Sequence, residues 1–179
     1  MKKICIVSVL FILLVSCTPV STPPPTLQPG QLSLDIPSAC SSMMQGLCIV
    51  SDPGEILGGG QPIVINQTPT AAFIGNSTAL QIKVGDWTLV FDPGQNTPFS
   101  VGMTFPNAKL YPQTSTPGMS IENNGKKCDQ VDGEFTDDIL QTAQNGTTQV
   151  NPVSNFDIRF SMHCNQEKQV LTGRVKLSQ

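Results

Sequence analysis

From Val153 to Cys164 the chain alternates with period two: Phe156, Ile158, Phe160, Met162 and Cys164 are separated by Asp157, Arg159, Ser161 and His163. A strand can place those two sets on opposite faces, one in a core and one polar, whereas a helix cannot. The last segment repeats the pattern, with Leu171, Gly173, Val175 and Leu177 on one side and Thr172, Arg174 and Lys176 on the other. Shorter strands are expected at 47–50, 63–65, 71–74, 80–84, 87–91, 109–111, 119–122 and 134–140. Turn signals punctuate them: Asp52-Pro53-Gly54, Gly58-Gly59-Gly60, Gly85-Asp86, Asp92-Pro93-Gly94, Asn124-Gly125, Asp132-Gly133 and Asn145-Gly146. Many short alternating strands predict an all-β fold, a single antiparallel β-sandwich of jelly-roll type over residues 37–179. A helical turn is expected only at 41–47. No internal repeat is evident.

Charge narrows the function classes. Of 179 residues, 10 are Lys or Arg and 13 are Asp or Glu, giving a net charge of −3. That balance has the wrong sign for a nucleic-acid footprint. A hydrophobic content of 39% is too high for a disordered acidic chain.

The N-terminus speaks to location. Lys2 and Lys3 precede an apolar run over residues 4–15, the charged and hydrophobic regions of a secretory signal. The run ends at Leu14-Val15-Ser16-Cys17, which resembles the lipobox of bacterial lipoproteins. That resemblance implies cleavage after residue 16 and acylation of Cys17. A short membrane anchor that merely contains a cysteine is the plainer alternative. Residues 17–36 then read as an acylated cysteine and a Pro-rich tether. At about 3.1 Å per residue its Pro-rich part, residues 18–30, holds a domain up to about 40 Å from a bilayer. Several acyl chains anchor far more durably than one. Thr18 stands where inner-membrane lipoproteins carry aspartate, so the outer membrane is expected, with the domain in the periplasm or exposed at the surface.

Six cysteines divide accordingly. Cys5 belongs to the signal and Cys17 to the lipid, leaving Cys40, Cys48, Cys128 and Cys164. Four cysteines in an oxidising compartment allow three disulfide connectivities, and spacing favours Cys40–Cys48 with Cys128–Cys164. A zinc site would need closely spaced Cys and His pairs, and the sequence holds one histidine and no CxxC.

Several of these residues together resemble a functionally uncharacterised β-sandwich domain of bacterial secreted proteins and lipoproteins. The opening is Ser51-Asp52-Pro53-Gly54-Glu55 followed by Gly58-Gly59-Gly60-Gln61. A tryptophan strand from Trp87 and then Pro117-Gly118 follow, and Cys128, Gly133 and Phe135 come next. The close is Phe156, Phe160, His163, Cys164, Leu171 and Gly173. The resemblance spans about residues 47–178; Cys40–Cys48 is a departure from it. It implies a sandwich and the 128–164 bridge, and no activity.

Candidate chemistry is sparse. His163 adjoins Cys164, but neighbours on a strand point to opposite faces, and a bridged cysteine offers no thiolate. Asp129, Asp132, Glu134, Asp137 and Asp138 form an acidic stretch that calcium would need to bind with six to eight oxygens. Its spacing is not that of an EF-hand, so a solvated edge or loop is the expectation. Gly58-Gly59-Gly60 lacks the Gly-Lys-Ser/Thr of a phosphate loop. Asp86, Trp87 and Tyr111 are weak candidates for a sugar site, with a core role for Trp87 weighed against it. No cofactor and no catalytic residue are expected. The reading is a non-enzymatic envelope lipoprotein, a structural or accessory subunit of an outer-membrane or periplasmic assembly. The alternative is a glycan- or peptidoglycan-binding module; an enzyme is a distant third. Expected partners are the membrane, through Cys17, and envelope proteins, with glycan as an option and nucleic acid excluded.

Overall fold

A computed structural model describes residues 32–178, apart from 75–77, 96, 114 and 143–152. Within them the strands are β1 (Gly46–Ser51), β2 (Ile63–Ile65), β3 (Thr70–Phe73), β4 (Leu80–Val84), β5 (Trp87–Asp92) and β6 (Met103–Leu110). They continue with β7 (Gly118–Asn123), β8 (Lys126–Lys127), β9 (Val131–Thr142), β10 (Val153–Cys164) and β11 (Val170–Leu177). The fold is all-β, as the alternation predicts. Hydrogen bonding runs without a break in the order β2-β1-β11-β10-β9-β6-β7-β5-β4-β3, with β8 beside β7. Every pairing is antiparallel except β6 with β7.

This sheet must curl. Its two edge strands, β2 and β3, are consecutive in the chain and joined by residues 66–69. Ten strands laid flat span about 43 Å at 4.8 Å per step. Five extended residue steps reach at most about 18 Å. Across the interior, the ring centroids of Phe91 on β5 and Phe160 on β10 lie 5.6 Å apart, although three strands separate them in the sheet. The two halves therefore face each other over one core, joined through β6 and β7 rather than standing as separate sheets.

Aromatic rings fill the centre of that core. Phe135 stacks on Phe105 at 4.9 Å and meets Phe91 at 5.2 Å. Phe135, Phe160 and Gly173 stand side by side on β9, β10 and β11. The Phe160 ring lies over Gly173, where a Cβ would collide with Cζ of the ring. The glycine and phenylalanine positions of the closing motif are thus one packing unit. The inward set of β10, which comprises Phe156, Ile158, Phe160, Met162 and Cys164, is buried throughout.

The other face of β10 carries the expected polar residues, yet Asp157 and Ser161 on it are buried as well. Ion pairs and the segment before β1 account for this. Arg174 grips Asp157 through two hydrogen bonds of 2.8 and 2.6 Å, and Arg159 grips Asp138. These carboxylates raise the pKa values of both guanidinium groups, chiefly through the hydrogen bonds. Arg159 also donates to the Leu34 carbonyl, and the Ser33 amide donates to Ser161 Oγ. Chain within the stretch read as tether therefore lies on the sheet.

Both disulfides form as spacing favours: Cys40–Cys48 with Cα atoms 5.5 Å apart and Cys128–Cys164 at 5.3 Å. The first joins the segment before β1 to its outer face, and with Met43 it makes a small second core. The expected helical turn at 41–47 is not what forms. A 3₁₀ turn occupies Ser38–Cys40, directly after Pro37, and β1 already begins at Gly46. Pairing of Gly46 and Leu47 with Lys176 and Val175 draws those residues into the sheet.

Candidate binding groove

Two polar regions stood out in the sequence, the Gly-rich opening motif and the acidic stretch, and the structure treats them differently. In the first, Glu55 is buried, and its Oε2 accepts the amides of Leu57 at 2.9 Å and Gly58 at 2.5 Å. Ser51 Oγ accepts the Gly60 amide, and Asp52 Oδ2 accepts the Val170 amide. The polar side chains of the opening motif hold their own loop in shape and tie it to β11.

The acidic stretch does not gather. Asp132 pairs with Lys109 at 2.8 Å, Asp138 pairs with Arg159, and Asp137 is buried. Among the described residues, no group of three or more His, Cys, Asp and Glu side chains is placed to hold a metal ion. A bulge divides the stretch, because Ile158 pairs with Asp137 while its neighbour Asp157 pairs with Ile139. Neither Asp137 carboxylate oxygen has a well-formed hydrogen bond among the described residues. Burial, with a smaller push from Asp138, raises its pKa to about 6, and the Ile139 amide offsets this only in part.

What the first part of the stretch does is wall a groove of about 680 Å³. One wall is the end of β6 and the turn after it, with Lys109, Tyr111 and Gln113. The other is Asp129, Gln130 and Asp132 before and at the start of β9, extended by Gln166 from the β10–β11 turn. The volume falls within the range of small-molecule sites.

Both walls are held firmly. The Tyr111 amide donates to the Met119 carbonyl, which fastens the turn to β7. The Tyr111 ring sits against Gly118, where an added Cβ would come within 3.3 Å of Cδ2. On the opposite side, the Cys128–Cys164 bridge joins the chain just before Asp129 to the chain just before Asn165. Asn165 Oδ1 accepts the amides of Asp129 at 2.7 Å and Gln130 at 3.1 Å, and its own amide donates to the Gln130 carbonyl. Asn165 and Gln166 both adopt left-handed backbone, with φ of 55° and 61°. Asparagine tolerates that conformation and glutamine does so rarely, so the clamp determines where the Gln166 side chain stands.

The sequence candidates divide between places. Tyr111 lines the groove. Trp87 is 3% exposed and belongs to the core, which is the role weighed against its part in a sugar site. Asp86 precedes it at the opposite end of β7: Trp87 pairs with Asn123, whereas Tyr111 bonds Met119, about 13 Å away along the strand. Asp86 and Trp87 therefore share no site with Tyr111. His163 is half-buried, its Nδ1 hydrogen-bonded to the Gln169 carbonyl at 3.2 Å, beside a cysteine that is bridged. Cys17 lies outside the described residues. The amides Gln113, Gln130 and Gln166 carried no signal in the sequence.

No protein-family model, no curated protein and no solved structure matches this chain.

Proposed function

We propose that this chain is an acyl-anchored envelope lipoprotein that works by contact, as a structural or accessory subunit of an outer-membrane or periplasmic assembly. One observation carries the reading. All four cysteines left after the signal and the lipobox are paired in two disulfides, the state of an exported chain in an oxidising compartment. The two pairs take up Cys40, Cys48, Cys128 and Cys164, and the sequence Leu14-Val15-Ser16-Cys17 sets Cys17 aside for lipid. Thr18 after it favours the outer membrane, and the Pro-rich stretch sets the domain off the bilayer. The outcome to expect from crosslinking in intact cells is a constant, stoichiometric set of envelope proteins recovered with the chain. Recovery of the protein alone, at every crosslinker length, overturns the assembly role.

A second reading has its own support. A groove walled by an aromatic ring, amides and a carboxylate favours a glycan- or peptidoglycan-binding module. Retention of the protein on purified cell-wall sacculi is the result it expects.

A further inference from the structure

The geometry points to the Tyr111–Gln166 groove as a saccharide site that takes a neutral sugar chain; the inference rests on the glycan-binding reading and names its site and ligand class. A pyranose presents two chemistries at once. Its C–H face is apolar and slightly positive, and it docks on the negative face of an aromatic ring. Its hydroxyls are both donors and acceptors, and adjacent pairs bridge planar carboxylates and amides.

The groove offers that combination. Tyr111 supplies the ring, held against Gly118. Gln113 uses its Nε2 on the Leu110 carbonyl, leaving Oε1 as an acceptor. Gln166, which lines the groove with Gln130, donates to Gln130 Oε1, which leaves the Gln166 Oε1 as an acceptor and the Gln130 Nε2 as a donor. Asp129 engages Asn165 through its backbone amide, so its carboxylate is the acidic group on offer.

Charge then selects among sugars. Lys109 and Asp132 compensate each other at 2.8 Å, and Asp129 leaves the groove one negative charge. Acidic polysaccharides would meet like charge; neutral and N-acetylated sugars would not. The clamped walls also lower the ordering cost of binding, because the backbone under Asp129, Gln130 and Gln166 is already positioned by Asn165 and the 128–164 bridge.

Calorimetric titration of the full acylated chain, in a detergent without a sugar headgroup, tests this with N-acetylchitotetraose, cellotetraose and polygalacturonate. The expected result is a Kd below about 1 mM for at least one neutral oligosaccharide. Tyr111→Ala and Asp129→Asn should each weaken it by about tenfold or more, Tyr111→Phe by about twofold or less. Asp86→Ala, at the far end of β7, should change nothing. No binding of either neutral probe, unchanged affinity in both groove variants, or preference for polygalacturonate overturns the proposal. Asp129 is exposed, so its variant remains informative if Tyr111→Ala fails to fold. Membrane retention through Cys17 is measured apart, so a lipidated protein that binds no neutral sugar sinks the groove and leaves the anchor standing.

Discussion

The loop at 51–61 and the wall formed by residues 129–132 with 165–166 use similar materials, acids and small polar residues at turns, to opposite ends. In the first, Glu55, Ser51 and Asp52 turn their oxygens onto nearby backbone amides. In the second, one asparagine and a disulfide hold the backbone, so Asp129, Gln130 and Gln166 present side chains to a groove. A polar loop becomes available to a ligand when something other than its own carboxylates holds it in shape.

Removing that holding element should give the largest effect. Replacing Cys128 and Cys164 together by alanine opens a closure with a sequence separation of 36, which costs about 4 kcal/mol on the chain-entropy view. Chemical denaturation measures it, and a loss below about 1 kcal/mol would mean that the groove wall does not depend on the bridge.

Carboxylate replacement sharpens the contrast. Glu55→Ala leaves the amides of Leu57 and Gly58 without their acceptor and should cost about 2–3 kcal/mol. Asp129→Ala at an exposed position should stay within about 0.5 kcal/mol. Equal costs at the two sites would erase the distinction between a self-bonded loop and a presented one.

Asp137 is a third case, a buried carboxylate without a good partner. Its folded pKa of about 6 lies above the unfolded value of 3.8. The folded state thus binds more protons between those values, so stability falls as pH rises from about 4 to about 6 and then levels off. The fall is on the order of 1–3 kcal/mol. Asp137→Asn should flatten that part of the profile and stabilise the protein above pH 7 by about 1 kcal/mol. A profile identical to that of the unsubstituted protein would contradict the assignment.

Much of the sheet was legible because its strands alternate cleanly. The expected bounds at 80–84 and 153–164 match β4 and β10, and those at 87–91 and 171–177 fall one residue short of β5 and β11. β6 was not: only 109–111 was expected, whereas the strand begins at Met103. Pro106 and Asn107, the latter with φ of 56°, interrupt the alternation and break the register with β9 between Phe105 and Ala108. The continuous hydrogen bonding through β6 and β7 rests on a two-residue parallel contact, Lys109 with Gly118 and Leu110 with Met119, which no periodicity announces. The burial of Asp157 and Ser161 was equally hidden, since it comes from Arg174 and from residues 33–34 folding back. Of the groove, Tyr111, Asp129 and Asp132 were visible as an aromatic and an acidic stretch. Their convergence with Gln166 was not, because it needs a turn more than thirty residues away, brought in by the disulfide.

We propose that an exported, lipid-anchored chain delivers this doubly bridged domain to the envelope. Intact mass measurement on protein extracted from membranes without reductant tests it most directly. The expected species begins at Cys17, carries a diacylglycerol and an amide-linked acyl chain, and lacks the four hydrogens removed by two disulfides. A species that retains residues 1–16 without lipid, or one whose mass includes free thiols at Cys128 and Cys164, would contradict it.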